Sequence, residues 1–196
     1  EQAVIGSESH ILHHEGLGGP ALGGVHLAVV PNDTRGQLEV APLDAVLGDK
    51  IALVCLENTH NRCGGSAVQL THTREVAEAA RAADALLHID GARIFNAAIA
   101  LETDAATLVA EADTVSFCFS KGLGAPVGSV LCGPRELMKK ARSIRRQLGG
   151  GMRQAGVLAA AALYALEHNV DRIAEDHAHA RRLAEGLAVL PGLRLD

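Results

Sequence analysis

The chain has few aromatic residues and few cysteines. Its 196 residues include no tryptophan, one tyrosine and three phenylalanines, so flat side chains on which nucleic-acid bases could stack are scarce. The four cysteines never form a Cys-x-x-Cys pair, and two of them lie inside hydrophobic runs. They are typical of small core residues, and since nothing demands disulfides for stability, we expect a reduced, cytoplasmic setting.

The chain also has few positively charged residues and no long apolar stretch. Lysine and arginine together number 18 against 23 aspartates and glutamates, which gives a formal net charge of −5. This balance argues against a nucleic-acid partner, because binding the phosphate backbone needs a clustered basic face. No apolar run approaches the roughly 20 residues that cross a bilayer, so no membrane partner is expected either. Hydrophobic residues still make up 48% of the chain, enough for a buried core.

Three hydrophobic runs are each followed by a polar residue that could carry chemistry. The runs are IALVCLE (51–57), ALLHID (85–90) and TVSFCFS (114–120), and the polar residues are His60, Asp90 and Lys121. The polar residues are 30 and 31 positions apart, about the length of one strand, a crossover helix and the next strand. Parallel strands joined in this way deliver their carboxyl ends to one edge of a sheet, where α/β folds place ligands. The three side chains are therefore predicted to converge on one crevice.

The rest of the chain reads as alternating strands and helices. Strands are predicted at 3–6 and 25–31, and a further strand at 127–133 should pair antiparallel, because the five residues GLGAP are too few for a crossover. Helical periodicity covers 73–83, 92–101, 104–112, 135–148 and 170–186. The stretch 154–167 is nearly continuous in alanine and leucine, which predicts a helix buried on most faces.

Lys121, Asp90 and Arg93 each have an ordinary and a chemical interpretation. Lys121 could be a surface lysine in a turn, or a partly desolvated amine available for covalent catalysis. Asp90 could cap a turn, or it could keep a pyridine nitrogen protonated, which makes the ring an electron sink. Arg93 could form a structural ion pair, or it could hold a carboxylate or phenolate oxygen.

The histidines carry weaker signals. His10 and His60 lie in loops, where a histidine is more often a hydrogen-bonded structural residue than a catalyst. Four others, His13, His14, His177 and His179, have no spacing that matches a metal site. No metal is predicted.

Five segments together resemble one family, the pyridoxal-phosphate-dependent threonine aldolases within the β-eliminating lyase group. The segments occur in the family's order: SHILHHEGLGG (9–19), LENTHNRCGG (56–65), HIDGARIFNAA (88–98), SFCFSKGLGAPVGSVLCG (116–133) and GGGMRQAGVLAAAALYALEHNV (149–170). The resemblance implies an α/β fold with a mixed, mostly parallel sheet flanked by helices. The fold that it implies is the large domain of fold type I, or pyridoxal-phosphate-dependent transferase-like, enzymes.

The resemblance also implies a role for each candidate residue and names the cofactor as pyridoxal 5'-phosphate. Lys121 in SKGLG resembles the lysine that binds the cofactor covalently, and Asp90 in DGAR resembles the partner of the pyridine nitrogen. Arg93 resembles the arginine near the ring oxygen and the substrate carboxylate, and His10 resembles the histidine stacked on the ring. His60 resembles the histidine near the substrate hydroxyl and is the candidate base, although a water held by the phosphate could serve instead.

Two further arginines and the chain's organisation complete the expectation. Arg153 and Arg146 resemble basic residues that reach a neighbouring subunit's site, which implies a homo-oligomer, a dimer of dimers, with shared sites. We expect a partial cofactor-binding large domain over 1–165, and a connecting helix with the start of a truncated small domain over 166–196. The family's phosphate-binding loop and its carboxyl-terminal arginine for the substrate carboxylate have no counterpart here, so we expect a chain incomplete at both ends.

The implied reaction is retro-aldol cleavage of L-threonine, L-allo-threonine or a related β-hydroxy-α-amino acid to glycine and an aldehyde. Three alternatives stay open at this stage. They are another lyase of the same fold, a non-catalytic oligomeric scaffold and a nucleotide-binding α/β domain.

Overall fold

Six strands form one sheet in the computed structural model, which describes residues 1–47 and 50–195. The strands are β1 (Gln2–Gly6), β2 (His26–Val30), β3 (Ile51–Glu57), β4 (Leu86–Asp90), β5 (Thr114–Cys118) and β6 (Ser129–Cys132). The helices between and after them are α1 (His10–His13), α2 (Gly18–Gly23), α3 (Val40–Val46), α4 (Leu70–Ala82), α5 (Ile94–Ala100), α6 (Ala105–Leu108), α7 (Arg135–Gln147), α8 (Gly156–His168) and α9 (Ile173–Ala188).

The strand order β2-β1-β3-β4-β5-β6 confirms the predicted mixed, mostly parallel sheet. The first five strands pair parallel, and β6 pairs antiparallel with β5, as the short GLGAP connection requires. Because β1 connects to β2 on one side while β3 lies on its other side, the chain reverses its winding between β1 and β3. Ligands of open α/β sheets bind outside the carboxyl ends of strands at such a switch point.

The core lies where the apolar strand residues meet the helices. Val4, Val54, Leu87 and Ile89 are buried in one cluster with Val76 of α4. Each such side chain stabilises the fold by roughly 1.5–3 kcal/mol relative to an exposed one. This cluster fixes β1, β3 and β4 side by side, so the loops that follow these strands start from a rigid edge.

One predicted helix and one predicted strand are shorter in the structure. Over 104–112, only Ala105–Leu108 is helical. The Asp104 side chain accepts a hydrogen bond from Thr107 N at 2.8 Å and starts this single turn. Over 114–120, the strand ends at Cys118, because residues 119–124 already turn back toward β6.

The prediction that residues 154–167 are buried on most faces is wrong within this chain. Only Ala162 and Ala165 of α8 are buried, whereas Val157, Leu163 and Tyr164 are 81%, 57% and 61% exposed. A helix that is apolar all round does not reveal which of its faces will meet its own chain. One narrow stripe packs beside Leu123 and Ile173, and the rest of the apolar surface faces outward.

The predicted domain division at residue 165 falls inside α8 and stays a prediction. Beyond it, α9 packs against α5, where Asn96 Nδ2 and His177 Nε2 lie 3.1 Å apart. Among the helices that the structure describes, none combines the length and the apolar character that a bilayer crossing requires.

Candidate active site

The carboxyl edge of the parallel strands opens into a cavity of about 340 Å³. Glu57 at the end of β3 and Asp90 at the end of β4 are register partners, and Ser116 of β5 lies beside Asp90. Four of the residues predicted from the sequence line this cavity, namely His10, Asp90, Arg93 and Lys121. They come from three segments, those that follow β1, β4 and β5. Of the three side chains predicted to converge, Asp90 and Lys121 line the cavity and His60 does not.

Asp90 is a partly buried carboxylate with an unusual charge environment. Burial raises the pKa of Asp90 and the Glu57 carboxylate raises it further, whereas His10 and Lys121 act in the opposite direction. Close by, burial raises the pKa of the Cys55 thiol to about 12, and Asp90 adds to this shift. A cationic N–H group that enters the cavity would therefore stabilise the ionised form of the Asp90 carboxylate.

Gly91 allows the chain to turn sharply after Asp90. Its N–H donates to Ser116 O at 2.8 Å, and a Cβ at this position would lie 3.0 Å from that same oxygen. The DGAR segment thus passes close against β5. Three residues later α5 begins, with Arg93 immediately before its first residue.

Lys121 is positioned by the tight turn that follows β5. Its carbonyl accepts a hydrogen bond from Gly124 N at 2.9 Å, and Gly124 has a φ of +73°, which favours glycine. Gly122 has no room for a side chain, because a Cβ there would collide with the Asn96 amide. The SKGLG segment can therefore bring the Lys121 backbone close to α5 and hold the amine at the cavity.

Arg93 and His10 approach the cavity from opposite loops. Arg93 Nη1 donates to Asn61 Oδ1 at 3.2 Å. His10 begins α1, and its Nδ1 lies 2.9 Å from Glu15 Oε1. A guanidinium and an imidazole therefore line the same cavity as the Asp90 carboxylate, and both are partly exposed.

His88 lies on the floor of the cavity, two residues before Asp90 on the same strand. Its Nδ1 is 2.8 Å from Thr114 Oγ1, and burial lowers the pKa of His88. The His88 imidazole therefore favours its neutral form and adds no further positive charge beside the Asp90 carboxylate.

The structure does not bring His60, Arg146 or Arg153 to this cavity. The His60 side chain is 1% exposed and sits beneath Gly36, where a Cβ would collide with the ring. Among the residues that the structure describes, neither His60 ring nitrogen has a hydrogen-bond partner. Burial lowers the pKa of His60, and the Glu57 carboxylate opposes this shift. Arg146, near the end of α7, and Arg153, in the following loop, are exposed.

Sequence reasoning missed Glu57 and Asn61, both of which line the cavity. The signal was present in LENTHN, since Glu57 is itself the polar residue on which β3 ends. His60, three residues further along, was selected instead, and so Glu57 was missed. Asn61 has no such signal, because only its contact with Arg93, 32 residues away, shows its place in the site.

The chain is an α/β protein with a mostly parallel sheet, a switch point, and a lysine and an aspartate on one cavity at the carboxyl edge, as the resemblance to fold type I enzymes implies. The chain belongs to the beta-eliminating lyase family, whose model matches residues 1–196.

Two curated relatives and one solved structure show which members of the family the chain resembles. The chain is 46% identical over 203 residues to the probable low-specificity L-threonine aldolase 2 of Arabidopsis thaliana, covering 100% of this chain and 57% of that protein. It is 39% identical over 196 residues to the low specificity L-threonine aldolase of Escherichia coli strain K12, covering 95% of this chain and 57% of that protein. The solved threonine aldolase of Leishmania major shares the fold, with a TM-score of 0.78 at 22% identity over 95% of this chain and 55% of that one. The chain thus spans little more than half the length of these proteins.

Proposed function

We propose that the protein carrying this chain cleaves L-threonine, L-allo-threonine or a related β-hydroxy-α-amino acid to glycine and an aldehyde, with pyridoxal 5'-phosphate as cofactor. The observation that carries the proposal is the shared cavity of Asp90 and Lys121, with Arg93 and His10 beside them. The threonine substrate and its L configuration come from the names of the Arabidopsis and Escherichia coli relatives.

The residues of the cavity fit this cofactor. Asp90 offers a carboxylate whose raised pKa favours a positively charged partner, as a protonated pyridine nitrogen is. Lys121 offers the amine that an aldehyde group requires, and Arg93 offers a cation for the ring oxygen or a carboxylate. The cavity of about 340 Å³ falls at the lower end of the range for small-ligand pockets.

Each of these side chains then has a definite task. The cofactor, when bound, supplies the electron sink that takes up the electron pair as the Cα–Cβ bond breaks. With the cofactor bound, Asp90 would keep the pyridine nitrogen protonated, Lys121 Nζ would hold the cofactor in the cavity, and Arg93 would orient the substrate carboxylate. The β-hydroxyl proton must also leave, and since His60 lies off the cavity surface, its assignment as the base stays a prediction.

The protein expressed from its full reading frame should turn yellow with pyridoxal 5'-phosphate and release acetaldehyde from threonine. Aldehyde should form in equal amount to glycine, while ammonia and 2-oxobutyrate, the products of an elimination from threonine, should not form. A protein that stays colourless with the cofactor would contradict the proposed cofactor. Ammonia and 2-oxobutyrate in place of glycine would assign the site to another lyase of the same fold.

We also propose that the chain assembles as a homo-oligomer, a dimer of dimers in which Arg146 and Arg153 reach the neighbouring site. The support is the exposed apolar surface close to these arginines in sequence, including Met152, Val157 and Tyr164. Sedimentation of the full-length protein should give a tetramer, and Val157→Glu with Tyr164→Glu should shift it to smaller species. A wild-type monomer at micromolar concentration would overturn the assembly.

A further inference from the structure

Glu57 occupies the switch point of the sheet, where the loops after β1 and β3 diverge. It is the last residue of β3, only 7% of it is exposed, and it lines the cavity next to Asp90. A buried carboxylate is costly unless its oxygens are hydrogen-bonded. The partners that Glu57 has acquired therefore indicate what it does.

Each oxygen of Glu57 accepts a hydrogen bond from a different loop. His10 N donates to Oε2 at 2.7 Å, and Asn61 N donates to Oε1 at 2.9 Å. His10 is 47 residues away in sequence, on the loop after β1, and Asn61 lies on the loop after β3. One carboxylate thus ties both loops to the strand edge at the positions where their side chains reach the cavity.

The second of these bonds extends to the guanidinium. The Asn61 side chain accepts from Arg93 Nη1 at 3.2 Å, so fixing the Asn61 backbone also fixes the acceptor that orients Arg93. Hydrogen bonds to an ionised acceptor are among the stronger ones in proteins. Two of the residues predicted to act on the cofactor or substrate therefore depend on Glu57.

The same two loops are also joined further out, by an ion pair that offers a natural comparison. Arg62 Nε lies 3.0 Å from Glu8 Oε2, and both side chains are exposed. An exposed pair of this kind contributes little, because water and salt screen it. If loop contact alone were important, removing either link would have a similar effect.

We propose that Glu57 is a positioning residue of this site, which holds His10 directly and Arg93 through Asn61. The inference rests on the proposed function, because the reaction is what requires those two side chains to be held. Glu57 acts on backbone N–H groups and has no part in transferring a proton to or from substrate.

The test compares Glu57→Gln, Glu57→Ala and the control Glu8→Gln in the full-length holoenzyme. Glutamine keeps one acceptor oxygen and places an NH₂ group against the other N–H donor, so one of the two bonds is lost; alanine loses both. We expect kcat for threonine cleavage to fall about 10- to 100-fold in Glu57→Gln, because displacing an active-site group by about an ångström can lower the rate by this factor. The fall should be larger in Glu57→Ala. Glu8→Gln should leave kcat unchanged.

Two readouts do not depend on turnover. Amide hydrogen exchange should speed up at His10 and Asn61 in both Glu57 variants, while amides in the middle of β3 and β4 stay protected. The visible circular dichroism of the bound cofactor should also change, because His10 and Arg93 shift relative to the ring. Neither signal should move in Glu8→Gln.

The alternatives give different results. A fall in kcat with unchanged amide exchange at His10 and Asn61 would mean that Glu57 acts only through its charge. That result would overturn the positioning role. Unchanged kcat and dichroism in a folded Glu57→Gln would overturn it as well, as would exchange that speeds up evenly across the sheet. Failure of the wild type to bind the cofactor or cleave threonine would instead overturn the proposed function, and amide exchange would still report on the loops.

Discussion

Replacing Lys121 by alanine is expected to abolish the visible absorption of the cofactor-loaded protein and to lower threonine cleavage about a thousandfold or more, the scale on which loss of a covalent residue acts. The reason is geometric as well as chemical. The turn after β5 holds the amine at the cavity, and Lys121 is the only lysine among the cavity-lining residues that the structure describes. Absorbance spectra and single-turnover assays of the purified full-length protein measure both effects.

Lys140→Ala is the matched control, since Lys140 is exposed on α7 and does not line the cavity. It should keep both the colour and the activity. Retention of the visible band in Lys121→Ala would mean that another amine binds the cofactor. The assignment of Lys121 would then be wrong, whatever the variant's remaining activity.

The sheet was predictable because its signals are local. Each apolar run with a polar residue at its end becomes a strand, and the length of each connection decides between a parallel and an antiparallel neighbour. Asp90, Arg93 and Lys121 follow from the same argument, because a strand end and the residues just after it must lie at the edge of the sheet.

Contacts between distant segments were not predictable. Glu57 meets His10 across 47 residues, and Asn61 meets Arg93 across 32. No period or spacing in the sequence encodes such a pair, since each bond depends on how two loops leave neighbouring strands. His60 illustrates the converse: three residues past the end of β3, the chain has already turned back, and a β-bridge from His60 to Ser66 places the ring in the interior.

Replacing Asp90 by asparagine is expected to change activity and stability in opposite directions. Without the carboxylate, nothing holds the proton on the pyridine nitrogen, and we expect kcat to fall by about a hundredfold or more, or about 3 kcal/mol in the barrier. Burial and Glu57 raise the folded-state pKa of Asp90 above its ordinary 3.8, so the ionised group costs stability as pH rises through that raised value. The cofactor-free Asp90→Asn protein should therefore be more stable than wild type at neutral pH and lose this advantage on acidification.

Asp113→Asn separates this effect from the general loss of a carboxylate that contacts β4. Asp113 Oδ2 accepts a hydrogen bond from Leu87 N at 2.8 Å, at the end of the strand opposite to the cavity. Its variant should leave kcat unchanged, and any effect on stability should be unfavourable. Urea titrations between pH 4 and 8, alongside kcat, give both quantities for each protein. An Asp90→Asn variant that is inactive but less stable than wild type at neutral pH would contradict this prediction. It would show that the ionised Asp90 carboxylate stabilises the cofactor-free fold.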